Sequence, residues 1–209
     1  MPKPKAVRII LIRSGSTEWD LSGRVSGSAD HPMCEQGAAA LAETVKSLDL
    51  GTVEAVLHSP DESSRATGEV VASLARAKAK AKDGLAEVAM GLWEGLLPAD
   101  LEDRYPTVYS RWLDDPLVVQ VPEGEPIADA DERLRGAFVK AIEKVPNEGV
   151  VVLVLRPIAW ALMRCRLLGR PLSELWMGTA DAPQVESLEC QLSTLQDAGV
   201  GADRAAARA

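Results

Sequence analysis

The chain is poor in cysteine, and the few cysteines it has exclude a disulfide-stapled protein. Cys34, Cys165 and Cys190 are an odd number in 209 residues, are widely spaced, and form no C-x-x-C pair. Small secreted domains that depend on disulfides carry many more cysteines at closer spacing. We therefore predict three free thiols, each buried as a small apolar side chain rather than acting as a nucleophile.

Histidine is scarcer still, since His31 and His58 are the only two in the chain. Neither lies at ligand spacing from a cysteine, which excludes a zinc site of the Cys/His type. The sequence motifs also lack the carboxylate cluster that a catalytic magnesium ion would need. We expect no metal and no cofactor.

Long apolar runs are absent as well. No stretch approaches the roughly 20 apolar residues that a bilayer-spanning helix requires. The 31 acidic side chains outnumber the 23 basic ones, and the net charge of −8 repels polyanions. We expect a cytoplasmic protein with no membrane or nucleic-acid partner, in which any phosphate site is local. The sequence leaves the oligomeric state open.

Strand-like and helix-like segments alternate along the chain. Residues 7–12 and 150–155 are nearly continuous β-branched and leucine runs, which are typical of strands buried on both faces. Shorter strand-like runs lie at 52–57, 85–87 and 184–188, and helical periodicity covers 35–48, 62–77, 100–112, 128–144 and 158–168. This alternation predicts a single three-layer α/β/α domain with a mostly parallel central sheet.

We assign residues 1–196 to this domain. Residues 197–209 carry few large apolar groups, and we expect them to form a frayed tail. The lysine-rich segment RAKAKAK, residues 76–82, is predicted to be a solvated helix end rather than a binding stripe.

Polar side chains follow several of the predicted strands. Arg13 and Ser14 follow the first strand, Ser63 lies just beyond the second, and Arg156 follows the strand that ends at residue 155. Glu87 closes the short run 85–87. Because ligands of doubly wound sheets bind beyond the carboxyl ends of the strands, we expect these side chains to line one depression.

Five segments, in order, resemble the histidine phosphatases, also called the phosphoglycerate mutase-like superfamily. They are ILIRSGSTEWDLSGRVSGSADHPMCEQG (10–37), HSPDESSRATGE (58–69), LAEVAMGLWEGL (85–96), PEGE (122–125) and VVLVLRPIAWALMRCRLLGRPL (151–172). The first looks like the family's strand, R-H-G turn and following loop, in which Arg24 lies. The second and third are similar to its S-S-P-L-x-R-A-x-x-T-A-E and L-x-E-x-x-x-G-x-W-E-G motifs. The resemblance covers most of the chain.

The resemblance implies a two-step phosphoryl transfer. In that family the histidine of the first motif is phosphorylated and an acidic residue protonates the leaving oxygen. Two arginines and a second histidine surround the phosphoryl group. A neutral imidazole can attack phosphorus without a separate base, and cationic donors hold the equatorial oxygens as charge redistributes.

Three of those five positions carry other residues here. By the resemblance, Ser14 stands at the nucleophile, Ser63 at the second arginine and Arg156 at the second histidine. Arg13 and Glu87 are retained. A serine hydroxyl needs a base or a metal to become nucleophilic. The substitutions therefore imply that phosphohistidine chemistry has been lost.

Two other side chains lie close enough in sequence to be considered as replacements for the missing groups. Arg65 lies two residues beyond Ser63, which on a helix turns its side chain by about 200°, so we do not expect it to replace the missing arginine. His58 lies near the predicted crevice, and we expect a structural role for it rather than a relocated nucleophile.

Arg156 is the most informative substitution because it replaces a titrating ring with a permanent cation that carries five donors. It can hold an anion, or it can pair with Glu87 and close the site, and the sequence does not choose between these. The five positions carry two arginines and one acid, a net charge of about +1 between pH 6 and 8.

The leading hypothesis is a histidine-phosphatase-like protein without phosphohistidine catalysis that binds a phosphorylated or other anionic small molecule. We expect contacts with that ligand from Arg13, Ser14, Arg24, Ser63, Glu87 and Arg156. One alternative is an active phosphomonoesterase or phosphoglycerate mutase-type enzyme that uses Ser14 or His58 as nucleophile. Another is a structural or protein-interaction role with a closed pocket, which exposed tryptophans would favour. Fold alone does not decide among them.

Overall fold

A computed structural model describes residues 6–46, 48–179 and 182–197. Its five described strands form one sheet. The strands are β1 (Ala6–Arg13), β2 (Val53–His58), β3 (Ala79–Ala81), β4 (Val150–Leu155) and β5 (Val185–Gln191), in the order β3-β2-β4-β1-β5. The first four are parallel, and β5 runs antiparallel to β1 at one edge. The prediction of a mostly parallel central sheet is therefore confirmed. Residues 198–209 of the predicted tail lie outside the described residues.

β1 and β4 lie side by side in the middle of the sheet, as their composition predicts. Leu11 and Ile12 of β1, and Leu153 and Val154 of β4, are fully buried, although neighbours along each strand point to opposite faces. Both faces of these strands must therefore be covered by other elements.

Helices cover the two faces. They are α1 (Glu18–Leu21), α2 (Glu35–Lys46), α3 (Glu62–Ala75), α4 (Pro98–Arg104), α5 (Pro106–Asp114), α6 (Ile127–Ile142), α7 (Pro157–Leu167) and α8 (Leu192–Asp197). Leu41 of α2 and Val71 of α3 pack on one face, in a core that includes Val154. Phe138 of α6 and Trp160 of α7 belong to the core on the other face. The three-layer α/β/α domain is confirmed, and none of the described helices is long and apolar enough to cross a membrane.

The third strand lies at a different place from the one predicted. Residues 85–87 do not form a strand: a short 3-10 turn, Asp83–Leu85, leads into an irregular loop that carries Glu87. The third strand is β3, inside the RAKAKAK segment, so most of this segment lies beyond the end of α3 and includes an edge strand instead of a solvated helix end. Helix α3 stops at Ala75 because Arg76 adopts the left-handed conformation, with φ of 51°. Lysines on an edge strand discourage pairing with other chains.

The helix predicted over 100–112 is two helices, α4 and α5. They meet at Tyr105, which has φ of −133° and precedes Pro106. Proline disfavours the helical conformation of the residue before it and offers no N–H for helix continuation. The apolar periodicity continues across this break, so periodicity alone did not reveal it.

The three cysteines are free and buried, as predicted. Burial raises the pKa of the Cys190 thiol to about 11, so this thiol is protonated at neutral pH.

A buried charge cluster fixes α7 to α6. Both carboxylate oxygens of Asp131 in α6 accept hydrogen bonds from Arg166 in α7, at 2.9 and 3.0 Å. Arg135 donates to the same carboxylate at 2.9 Å and to the Leu195 carbonyl oxygen of α8. The side chains of Asp131 and Arg166 are 1% and 4% exposed.

We predict that Asp131→Asn lowers the free energy of unfolding by about 3–5 kcal/mol, since it removes one partner from a buried ion pair. Chemical denaturation measures the change. Glu69→Gln is the control, because Glu69 pairs with Arg65 on the solvent side of α3 and both side chains are more than half exposed. An exposed pair contributes about 0–1 kcal/mol. Equal losses of unfolding free energy in the two variants would contradict a major role of the Asp131 cluster in holding α7 against α6.

Candidate functional site

The carboxyl ends of β1, β2 and β4 meet at one edge of the sheet, and the residue after each strand is polar. The Ser14 N–H donates to the Leu155 carbonyl oxygen at 2.8 Å, and the Ser59 N–H donates to the Val154 carbonyl oxygen at 3.1 Å. Arg13 is directly opposite Leu155 in the strand register. Ser14 and Ser59 therefore flank the end of β4, where Arg156 begins the next turn.

Arg156 is a buried guanidinium without hydrogen bonds. The residue is 1% exposed, and Nε, Nη1 and Nη2 have no hydrogen-bond partner in the described part of the chain. Its nearest carboxylates are Asp20, at 3.8 Å from Nη2, and Asp61, at 3.9 Å from Nη1, both beyond hydrogen-bond distance. Burial of unpaired polar groups costs free energy. These donors are accordingly the strongest candidates for contact with a ligand.

Glu87 is engaged by the start of α7. Its carboxylate accepts hydrogen bonds from the backbone N–H groups of Ile158 at 2.8 Å, Ala159 at 2.7 Å and Val88 at 2.7 Å. Two of these donors belong to the first turn of α7, where N–H groups have no partner within the helix. Glu87 therefore caps α7, and of the two alternatives for Arg156, a hydrogen-bonded pair with Glu87 is not the one formed.

The environment of Glu87 shifts its protonation. Burial raises the pKa of Glu87 from 4.5 to about 7, because the charged form loses its hydration. The three backbone N–H groups and the charge of Arg156 oppose this effect and lower the pKa. The carboxyl group of Glu87 therefore exchanges a proton near neutral pH.

Arg13, Ser14 and Arg24 line one cavity of about 330 Å³ at this edge. The Ser14 hydroxyl is buried and has no hydrogen-bond partner among the described residues. Arg13 lies over the ring of Trp160, with its guanidinium carbon 5.5 Å from the ring centre. Arg24 donates to the carbonyl oxygen of Gly95 at 2.6 Å.

Arg156 and Glu87 line a second cavity, of about 200 Å³, together with Ser59 and Asp61. A third cavity, of about 170 Å³, shares Glu87 with the second and Arg24 with the first. The three cavities therefore adjoin. Five of the six predicted ligand positions line them: Arg13, Ser14, Arg24, Glu87 and Arg156.

Ser63 does not face these cavities, contrary to the expectation that it contacts ligand. It is fully buried, and its hydroxyl donates to the carbonyl oxygen of Gly15. Thr67, one turn further along α3, accepts a hydrogen bond from the N–H of Gly15 at 2.9 Å. A serine is short enough to reach this backbone, so Ser63 ties α3 to the turn that carries Ser14.

His58 and Arg65, the two possible replacements, also lie away from these cavities. His58 is 4% exposed, and its Nδ1 lies 2.8 Å from the carbonyl oxygen of Ser59. Arg65 is half exposed and pairs with Glu69 at 3.3 Å. Neither residue lines any of the three cavities.

Asp20 and Asp61 are the site residues that sequence reasoning missed. Asp20 accepts hydrogen bonds from the N–H and hydroxyl of Thr17, and Asp61 accepts one from the Ser64 N–H at the start of α3. Both are helix-capping positions, and the T-E-W-D and D-E-S-S spacings are the signals that could have found them. Together with the five family positions they give a net charge of −1 when Glu87 is ionised and 0 when it is protonated, so the expected constant charge of about +1 between pH 6 and 8 is wrong. Within residues 6–46, 48–179 and 182–197, no three histidine, cysteine, aspartate or glutamate side chains are placed to hold a metal ion together.

Comparisons with known proteins give matches over most of the chain. A family model described as the histidine phosphatase superfamily, branch 1, matches residues 9–196. Phosphoserine phosphatase 1 of Hydrogenobacter thermophilus is 28% identical over 170 residues, which cover 81% of this chain and 80% of that protein. A probable phosphoglycerate mutase of Proteus mirabilis is 26% identical over 168 residues, 79% of this chain and 76% of the relative. The phosphoglycerate mutase structure of Bacillus anthracis has the same fold, with a TM-score of 0.73 and 18% identity over 92% of this chain and 96% of that one.

The protonation of Glu87 predicts a pH dependence of stability. Since the folded-state pKa of about 7 lies above the ordinary 4.5, the folded protein binds more protons between these values, and stability falls as pH rises through them. The loss is about 3 kcal/mol in total. We expect denaturation at pH 5 and pH 8 to show it in the wild-type protein and in Glu69→Gln, but not in Glu87→Gln. An unchanged slope in Glu87→Gln would assign the effect to other groups.

Proposed function

The chain belongs to the histidine phosphatase superfamily, and from this premise we propose that it binds a small phosphorylated ligand without hydrolysing it. Its relatives include a phosphoserine phosphatase and a probable phosphoglycerate mutase, both named for phosphorylated compounds. A phosphate monoester is therefore the ligand class that the family favours.

The observation that carries the proposal is the buried guanidinium of Arg156. Its planar set of N–H donors matches phosphate oxygens in two-point contacts that a lysine does not make. The unpartnered hydroxyl of Ser59 lines the same cavity, and the unpartnered hydroxyl of Ser14 lies in the adjoining one. A phosphate group placed here would satisfy donors that have no acceptor among the described residues.

The residues at the family's two histidine positions support the proposed absence of turnover. By the motif resemblance these are Ser14 and Arg156. Ser14 has no hydrogen-bonded base among the described side chains, and an arginine stays charged at any physiological pH. Neither residue supplies the imidazole that the family's reaction requires.

A retained phosphomonoesterase activity is the second candidate, and one observation favours it. A carboxyl group with a pKa of about 7, such as that of Glu87, suits a general acid at neutral pH. Against it, the Glu87 carboxylate is occupied by three backbone N–H groups and no nucleophile is activated nearby. The structural or interaction role has less support, since none of the five tryptophans is exposed.

We predict that the purified protein hydrolyses 3-phosphoglycerate and p-nitrophenyl phosphate no faster than its Glu87→Gln variant, because no group attacks phosphorus. Phosphate release over hours, with the two proteins side by side, provides the measurement. A turnover above about 1 s⁻¹, together with a trapped phosphoenzyme, would establish the second candidate instead. Ser14→Ala and His58→Ala would then identify the nucleophile.

We also predict that Arg156→Met weakens binding of ethyl phosphate at least tenfold, since each hydrogen bond from a charged donor contributes about 1.5–3 kcal/mol. Arg156→Lys keeps the charge but not the planar donor set, and its affinity should lie between those of the wild type and the Met variant. Calorimetric titration gives the dissociation constants. Arg65→Met, on the exposed side of α3, is the matched control and should bind as the wild type does. Equal affinity in the wild type and in Arg156→Met would refute the proposed site.

A further inference from the structure

The cavity beside Arg156 carries charges of both signs, with the negative sign in excess. Among its described lining residues Arg156 is the one cation, whereas Asp30, Asp61 and Glu87 are acidic. With Glu87 protonated or ionised, the acidic groups outnumber the guanidinium. A ligand that is only an anion meets this excess of negative charge as repulsion.

Asp61 offers the cavity an acceptor oxygen that no group in the described part of the chain uses. Its Oδ1 accepts the hydrogen bond that caps α3, from the N–H of Ser64 at 2.8 Å. Its Oδ2 is buried and has no hydrogen-bond partner within the described chain. Arg156 lies 3.9 Å from Oδ1, too far for a hydrogen bond. One cavity therefore holds unsatisfied donors, on Arg156 and Ser59, and an unsatisfied acidic acceptor.

We propose that the ligand of this cavity is a small zwitterion, with a phosphate group on Arg156 and Ser59 and an ammonium group on Asp61. The inference rests on the proposed function, because it takes the phosphate contact with Arg156 as given. Such a ligand satisfies donors and acceptor together, and its positive end offsets the acidic excess.

Charge favours an ammonium group over a hydroxyl group as the partner of Asp61, and the cavity volume favours a short ligand. A hydroxyl group can donate to Asp61, but it leaves the carboxylate charges uncompensated. The cavity volume, about 200 Å³, is smaller than the roughly 300–1,000 Å³ of sites for drug-sized ligands, which fits a short phosphorylated amine.

A matched pair of probes tests the inference on the wild-type protein. O-phosphoethanolamine and ethyl phosphate share the phosphate ester and differ in the ammonium group. Calorimetric titration at pH 7.5 and low salt should give a dissociation constant at least tenfold lower for O-phosphoethanolamine. Equal affinities would overturn the zwitterion inference and leave the proposed function standing. Absence of binding by both probes would overturn the proposed function itself.

The Asp61→Asn variant tests whether Asp61 causes the preference for O-phosphoethanolamine over ethyl phosphate. The amide keeps an oxygen for the α3 cap while removing the charge, so the fold is retained. We expect O-phosphoethanolamine to bind more weakly and ethyl phosphate more tightly, which reduces the preference to about twofold or less. A merely structural effect would weaken both probes alike and would overturn the role of Asp61.

Glu62→Gln is the control for overall charge. Glu62 is the next residue, is exposed in the first turn of α3, and is not among the residues lining the cavity. Its neutralisation changes the net charge by the same amount and should leave the tenfold preference intact. Loss of the preference in this control would assign it to the long-range field instead of Asp61.

Discussion

The structure of this site depends on which group accepts hydrogen bonds from the backbone N–H groups at the start of α7. Glu87 reaches from a separate loop and accepts the N–H groups of Ile158 and Ala159, so the helix terminus is capped by a carboxylate. That contact keeps Glu87 from forming a hydrogen-bonded pair with Arg156, which stands at the N-cap of the same helix. The guanidinium is buried by the fold and has no hydrogen-bond acceptor among the described residues. The candidate function follows from this arrangement.

The surrounding carboxylates keep such a buried cation tolerable. Asp20 and Asp61 lie 3.8 and 3.9 Å from Arg156, close enough to offset its charge and too far to occupy its donors. Each is held by its own helix-capping hydrogen bonds, so neither is free to close the gap at no cost. The positive charge of Arg156 is therefore offset while its hydrogen-bonding capacity remains, a combination suited to recognition of a polar ligand.

Much of the fold could be predicted from the sequence because the strong signals are local. The apolar runs of β1 and β4 identify central strands, and helical periodicity locates α2, α3, α6 and α7 to within a few residues. The three-residue strand β3 has too few residues for a pattern, and its lysines imitate a solvated helix end. For the site, residue spacing indicated the polar residues at the strand ends. Packing between distant segments determines the rest: it turns Ser63 toward Gly15 and brings Asp20 and Asp61 close to Arg156.

The central claim is that Arg156 holds the anionic group of a ligand, and a crystal structure of the protein grown with ethyl phosphate tests it most directly. The account predicts a phosphate group within about 3 Å of the Arg156 guanidinium, in contact with Ser59, with Glu87 still bound to the first turn of α7. A structure in which Arg156 instead forms a two-point pair with Glu87 or Asp61, and the cavity contains no phosphate, would contradict it.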